Sequence, residues 1–259
     1  MLLAVDVGNT ETVLGVFDGD ELAWHWRIST VLDRTADELA LLFSGFLAQH
    51  DLSFDRQVTG VAICSGVPVL TEALRRMTEQ YFHFEPIVVE PGVKTGISVL
   101  TDNPREVGPD RIVNALAAHA RYGGPCIVVD FGTATTYDAV SAKGEYLGGA
   151  IAPGMRVSEE GLTRHAARLP DVEIAGTKQV IGKNTIDAMQ SGLLWGTVAE
   201  MEGMVERIAE ELGGEVTVIA TGGLAEEVVP FTNCIDYHEP WLTLEGLRLI
   251  FERNTNRDG

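Results

Sequence analysis

Two short stretches of this chain carry the same design. Leu2-Leu3-Ala4-Val5-Asp6-Val7-Gly8-Asn9-Thr10 is an apolar run that ends in a carboxylate, a glycine and a hydroxyl. Cys126-Ile127-Val128-Val129-Asp130-Phe131-Gly132-Thr133-Ala134-Thr135-Thr136 repeats it in the second half. Four or five consecutive apolar residues read as a strand buried on both faces. A carboxylate leaving such a strand is costly unless a cation or donors meet it. Gly8 permits close backbone approach, and Asn9, Thr10 and Thr12 offer donors to phosphate oxygens. The same residues also suit a simple Asx-turn, so either loop alone is open to both readings. Two together favour two similar halves facing each other across a phosphate.

The rest of the pattern supports an α/β chain with two similar lobes. Thr12–Phe17 and Leu22–Ile28 read as strands joined at Asp18-Gly19-Asp20. Thr35-Ala36-Asp37-Glu38 has capping-box spacing ahead of Leu39, Leu42, Phe43, Phe46 and Leu47. Gln57–Cys64 reads as a strand, Pro68 to about Tyr81 as a helix, and Pro86–Val89 as a short strand. The second half repeats the order with strands at Ile127–Asp130, Thr135–Val140 and Gly144–Ile151, then a helix from Met155 to about Arg168. Asn184–Leu212 reads as a long helical region interrupted near Gly192–Gly196. Val216–Ala220 is a strand, Leu224–Val229 a short helix, Thr243–Phe251 a closing helix, and the last polar residues a frayed end. The lobes divide as 1–114 and 115–259, within an expected helix from about Asp110 to Tyr122 that suits a hinge around a shared cleft.

Composition narrows the function classes. With 259 residues, 45% apolar and 22% charged, the chain has a globular balance and ample core. Its formal charge of −19 repels polyanions and argues against a nucleic-acid partner. No apolar run is long enough for a membrane span, and Met1 runs straight into the first strand, so the expected location is cytoplasmic. Cys64, Cys126 and Cys234 are isolated and read as free thiols. The histidines show no zinc-type pairing.

Further elements could belong to a phosphate site. Thr221-Gly222-Gly223 follows an apolar strand and precedes a helix, and with the two Asp loops it suits an adenosine site. Gly176 to Asn184 resembles a Walker A loop but has the wrong glycine spacing and Asn after Lys183, so it is rejected. Asp110 can be a helix cap, or with Arg111 a base beside an anion clamp. Asn184-Thr185 can likewise cap a helix or supply hydroxyl contacts.

Several blocks then coincide with one family. They are Asp6 to Thr10, Asp102-Asn103-Pro104 through Gly108-Pro109-Asp110-Arg111, Asp130 to Thr135, Gly148-Gly149 to Pro153-Gly154, Asn184-Thr185 to Gln190-Ser191-Gly192, and Thr221-Gly222-Gly223. Together they resemble type III pantothenate kinase over nearly the whole chain. The first and third blocks are shared with the wider actin-like and sugar-kinase superfamily, whereas Gly108–Arg111 and Asn184–Gly192 are more specific.

The resemblance implies a duplicated ribonuclease-H-like fold, a homodimer, and transfer of the γ-phosphate of ATP to the 4′-hydroxyl of pantothenate, the first step toward coenzyme A. It makes Asp110 the general base. Asp6, Val7, Gly8, Asn9, Thr10, Glu11, Thr12, Val13 and Thr133 would face ATP, with Mg2+ beside Asp6. Gly108, Pro109, Asp110, Arg111 and Thr185 would face pantothenate. Asp130 would hold a monovalent cation, K+ or NH4+. The family often has Tyr just before the Asp-Asn-Pro turn, where this chain has Thr101. The alternatives are a sugar- or acetate-type kinase of the same superfamily, or a nucleotide-binding regulator without turnover.

Overall fold

A computed structural model describes residues 1–54, 56–166, 168–177 and 179–255. The elements run β1 (Leu2–Val7), β2 (Glu11–Asp18), β3 (Glu21–Ser29), α1 (Ala36–Ala48), β4 (Gly60–Ser65), α2 (Pro68–Phe82), β5 (Ile87–Val88), β6 (Ser98–Val99), α3 (Pro109–Tyr122), β7 (Cys126–Phe131), β8 (Ala134–Val140), β9 (Glu145–Pro153), α4 (Met155–His165), α5 (Thr185–Leu212), β10 (Thr217–Thr221), α6 (Ala225–Val228), β11 (Tyr237–His238) and α7 (Leu242–Thr255). Short 3-10 turns lie at Pro104–Glu106 and Val229–Phe231. The expected frayed end at 256–259 lies outside the described residues, as does Ala167 in the stretch expected to continue α4.

The chain forms two compact units that are not consecutive halves. Unit 1 takes Met1–Ile97, Asn103–Ala117 and the chain from Leu242 onward, and unit 2 takes Ser98–Asp102 and Ala118–Trp241. Division at 114/115 assigned the closing helix to the second lobe, but α7 packs on β1, β2 and β4 of the first. The reason is steric fit. Leu244 of α7 lies over Gly15 and Phe251 over Gly60, at distances that leave no room for a β-carbon on either glycine.

The sheet of unit 1 has the order β3-β2-β1-β4-β5. β1 pairs antiparallel with β2 and parallel with β4, and β4 pairs parallel with β5. Leu3, Val5, Val7, Val61 and Ile63 point to a core shared with Leu39, Phe43 and Leu47 of α1 and Leu70, Leu74 and Met77 of α2. Because strand side chains alternate, Asp6 and Cys64 project to the opposite face, the one covered by α7. Gly246 of α7 packs on Val113 of α3, so the first turns of α3 share that face. Thr35 caps α1 with the expected box, accepting from the Glu38 N–H while Glu38 Oε2 accepts from the Thr35 N–H at 2.8 Å.

Unit 2 repeats this connectivity in a sheet of order β11-β10-β7-β8-β9-β6. β7 pairs antiparallel with β8, β8 antiparallel with β9, β7 parallel with β10, and β10 parallel with β11. The strand directions match those of unit 1, with β6 added at the edge beside β9. Even the burial sequence agrees, since β1 and β7 are buried throughout except at the fifth residue, Asp6 or Asp130. This is a duplicated ribonuclease-H-like fold. Ile127, Val129, Phe131 and Tyr137 face a core with Leu194, Val198, Met201 and Val205 of α5.

Two expected boundaries moved. α5 runs unbroken through Gly192 and Gly196, both on its exposed side with open space where a β-carbon would stand. Each glycine costs a helix about 1 kcal/mol, which the buried stripe Met189, Leu193, Leu194, Val198, Met201 and Val205 outweighs. Residues 57–59 are not part of β4, because they are tied to the chain start. The Met1 ammonium donates to the Gln57 carbonyl at 2.9 Å, and the Thr59 N–H donates to the Met1 carbonyl at 2.9 Å.

All three thiols are free, as expected. Cys126 opens β7 fully buried, and burial pushes its thiol from the ordinary 9.0 up to about 12. A raised folded value means the folded state holds its proton where the unfolded chain releases it. The stabilisation is complete below about pH 9 and is lost as the pH rises toward 12. Melting temperatures from pH 8 to 11 should therefore fall less steeply for Cys126→Ala than for the parent chain. Parallel curves for the two would contradict this.

Candidate active site

In unit 1, β1 ends at the turn that places Asp6. The Gly8 N–H donates to the Glu11 carbonyl at 2.9 Å, closing the turn into β2. Thr30, just beyond β3, donates its hydroxyl to the Gly8 carbonyl at 2.8 Å and shares a 2.9 Å bond with the Thr12 hydroxyl. Thr12 is buried. Its hydroxyl, expected to face ATP, is thus spent on fixing the loop. Glu11 pairs with Arg27 across β2 and β3 at 2.5 Å. Asn9 and Thr10 are the exposed tip of the turn, with Gly8 half-buried behind them, and Val13 is half-buried opposite Asp6 in the β-ladder.

The second acidic group of unit 1 sits at the start of α3. Asn103 caps the 3-10 turn through Pro104, accepting from the Arg105 N–H at 3.3 Å. The chain then enters α3 through Gly108-Pro109-Asp110-Arg111, where the Gly108 carbonyl accepts from the Arg111 N–H at 3.2 Å. A β-carbon on Gly108 would stand 2.5 Å from Asp110 Oδ1, so the glycine makes room for the carboxylate to fold back over the backbone. Asp110 is exposed, whereas Pro109 and Arg111 are half-buried.

Cys64 connects the two acids. It lies fully buried on β4, level with Asp6 in the parallel ladder. Burial raises its thiol well above the ordinary value, and the charges of Asp6 and then Asp110 raise it further. Asp6 is its neighbour on the adjoining strand, and the charge of Asp110 also acts on the buried thiol. Sequence reasoning treated Cys64 only as a buried thiol. Its position one strand over from Asp6 was the available signal.

In unit 2, Asp130 leaves β7 beside the glycine turn of β10, where Thr221 is level with it in the ladder. Gly222 adopts a φ of +94°, and a β-carbon there would overlap Asp130 Oδ1 and lie 2.6 Å from the Phe131 nitrogen. The Leu224 N–H donates to the Phe131 carbonyl at 3.1 Å, clamping the Gly222-Gly223 turn onto the Asp130 loop. Pro153-Gly154 closes the loop from the other side, with the Gly154 N–H donating to the Thr133 carbonyl at 3.1 Å. Thr133 is exposed at the tip, Thr135 is buried, and Thr136 donates to Asp138 at 3.0 Å.

Two other sequence candidates resolve differently. Asn184 caps α5, accepting from the Asp187 N–H at 2.9 Å, and leaves Thr185 exposed in the first turn. The stretch from Gly176 packs as structure, as its rejection as a Walker loop expected. Gly182 lies against the backbone of Ala188, Val180 accepts from Ser191 at 2.5 Å, and Gly176 rests on Phe231. Lys178 lies outside the described residues. Among the described residues, no helix is long and apolar enough to cross a membrane, and no three His, Cys, Asp or Glu side chains gather as a metal cluster.

Comparisons with known proteins give one family by sequence and a shared fold by structure. Residues 2–207 match the family model described as type III pantothenate kinase. A type III pantothenate kinase of Streptomyces coelicolor is 56% identical over 264 aligned positions, covering 99% of this chain and all of the relative. Among solved structures, a Campylobacter jejuni protein named for a Baf family of transcriptional activators superposes with a TM-score of 0.61 at 18% identity, covering 98% of this chain and 99% of the other. An inorganic polyphosphate/ATP-glucomannokinase from Arthrobacter sp. strain KM gives 0.51 at 13% identity, over 97% and 98% of the two chains. At those identities the structures speak for the fold alone. The end-to-end sequence match carries the assignment, and this chain belongs to the type III pantothenate kinase family.

Proposed function

We propose that this chain transfers the γ-phosphate of ATP to the 4′-hydroxyl of pantothenate, opening coenzyme A synthesis, with Asp110 as the general base. The observation that carries the mechanism is that Asp6 lies on the sheet face covered by α7, and that α3, whose first turn carries Asp110, packs against α7 through Val113 and Gly246. Asp110, exposed at the start of α3, can take the hydroxyl proton as the bond to phosphorus forms. Its neighbour Arg111 supplies positive charge for the acidic acceptor. Gly108 and Pro109 of unit 1 and Thr185 of unit 2 are the other residues proposed for pantothenate.

The ATP contacts proposed in unit 1 are the turn from Asp6 to Val13, with Thr12 holding that turn through Thr30, and those proposed in unit 2 are Thr133 and the Gly222-Gly223 backbone. Asp6 offers an oxygen-only donor at the end of a rigid strand, which fits Mg2+, an ion that supplies charge neutralisation on the phosphates. Asp130, held against Gly222, fits a monovalent cation, K+ or NH4+. The protein's own part is positioning, and each acid is fixed by a strand end or a helix start.

The wider reading is a cytoplasmic homodimer in which each chain has two ribonuclease-H-like lobes. Exposed Leu147 and Ile151 on β9 offer apolar surface to a second copy. The test is a coupled ADP-release assay with pantothenate in potassium, ammonium or sodium chloride. ADP release should require pantothenate, proceed with potassium or ammonium, and fail with sodium. Release driven by sugars or acetate but not by pantothenate would replace this reading with a kinase of other specificity. No release with any acceptor would favour a regulator, and equal rates in all three salts would remove the Asp130 cation site.

A further inference from the structure

We infer that Thr136 is an oxygen ligand of the monovalent cation assigned to Asp130, and that buried Asp138 positions it by holding its hydroxyl proton. The inference rests on the cation reading of Asp130 given above. Ile127, Val129, Phe131 and Tyr137 face the α5 core, so Asp130, Thr136 and Asp138 project together from the other face of the sheet. Thr136 is directly opposite Asp130 in the antiparallel ladder, which sets their β-carbons about 5 Å apart.

Asp138 is 0% exposed, on a strand where an apolar residue would be far cheaper to bury. Its carboxylate accepts from Thr136 Oγ1 at 3.0 Å and from the Tyr146 hydroxyl at 2.8 Å. A threonine hydroxyl has one proton and two lone pairs. Left alone, Thr136 could turn that proton onto Asp130 and occupy the carboxylate in a neutral hydrogen bond. Asp138 draws the proton away along the strand, so the lone pairs remain for a cation beside Asp130. A carboxylate and a hydroxyl are hard oxygen donors, the class suited to such ions. Tyr146, fully buried on β9, keeps Asp138 from turning.

Melting of the full chain, titrated with KCl against choline chloride at constant ionic strength, tests this without turnover. The parent chain should show a saturable, potassium-specific rise in melting temperature that Asp130→Ala abolishes. Thr136→Val should raise the half-saturating potassium concentration roughly 10- to 100-fold, and Thr136→Ser should restore the response. Asp138→Asn should weaken potassium similarly, because its amide can donate to Thr136 and reverse the hydroxyl. A purely structural Asp138 would lower melting in choline without moving the half-saturation point, and that result would overturn its role. If Asp138→Asn does not fold, the Val and Ser variants decide. An unchanged potassium curve in Thr136→Val, with loss in Asp130→Ala, removes Thr136 and leaves Asp130 as the cation site. A parent chain indifferent to potassium, or an Asp130→Ala variant that responds normally, overturns both.

Discussion

Asp110→Asn is expected to lower turnover by about 100- to 10,000-fold, the range that general-base assistance supplies. The substitution keeps the shape and removes the ability to accept a proton. Asp110 is exposed in the first turn of α3, and the space left by Gly108 accommodates an amide as readily as a carboxylate. The helix should lose only the favourable effect of a negative charge at its N-terminus, about 0.3–1 kcal/mol. Melting and ATP binding should therefore stay near those of the parent, while single-turnover phosphoryl transfer collapses. Turnover within a few-fold of the parent would exclude Asp110 as the base.

Gly222→Ala is the second large effect, and it acts on stability and site together. A φ of +94° costs an L-residue about 1–2 kcal/mol. The added methyl would also collide with the Asp130 carboxylate and with the Phe131 backbone, which the β7 ladder holds in place. Overpacking of this kind costs about 1–3 kcal/mol, so the total expected from denaturant unfolding is about 2–5 kcal/mol. Gly213→Ala is the control, since Gly213 has a similar φ of +98° with nothing near its added methyl. It should cost only the backbone part. Equal losses at the two positions would show that no clash exists at Gly222. In any folded Gly222→Ala protein the Asp130 carboxylate must move, and potassium dependence should weaken with it.

Much of the architecture was readable because local chemistry and tertiary outcome coincide. The runs Leu2–Val7 and Cys126–Phe131 are too apolar to be anything but central strands, and each became the middle of its sheet. The capping box at Thr35 and the turn at Gly19 acted within a few residues and appeared where spacing put them. The misplaced details depend on distant partners. Gly192 and Gly196 signal a break locally, yet a stripe buried against β7 and β8 holds α5 continuous. The two-residue strands β6 and β11 have no pattern of their own and exist because a neighbouring edge was free to pair.

The same division runs through the site. Residue order alone determined that this chain carries two acid-ended strands, a Gly-Gly turn and an acid at a helix start, because those features are local consequences of side-chain type. It could not say that Asp6 is level with Cys64, that Gly222 lies against Asp130, or that the Thr12 and Thr136 hydroxyls bond to Thr30 and Asp138. Those are matters of ladder register and helix docking. Both are decided by which faces pack together across long stretches of chain, a sum of many small contacts that no single segment encodes.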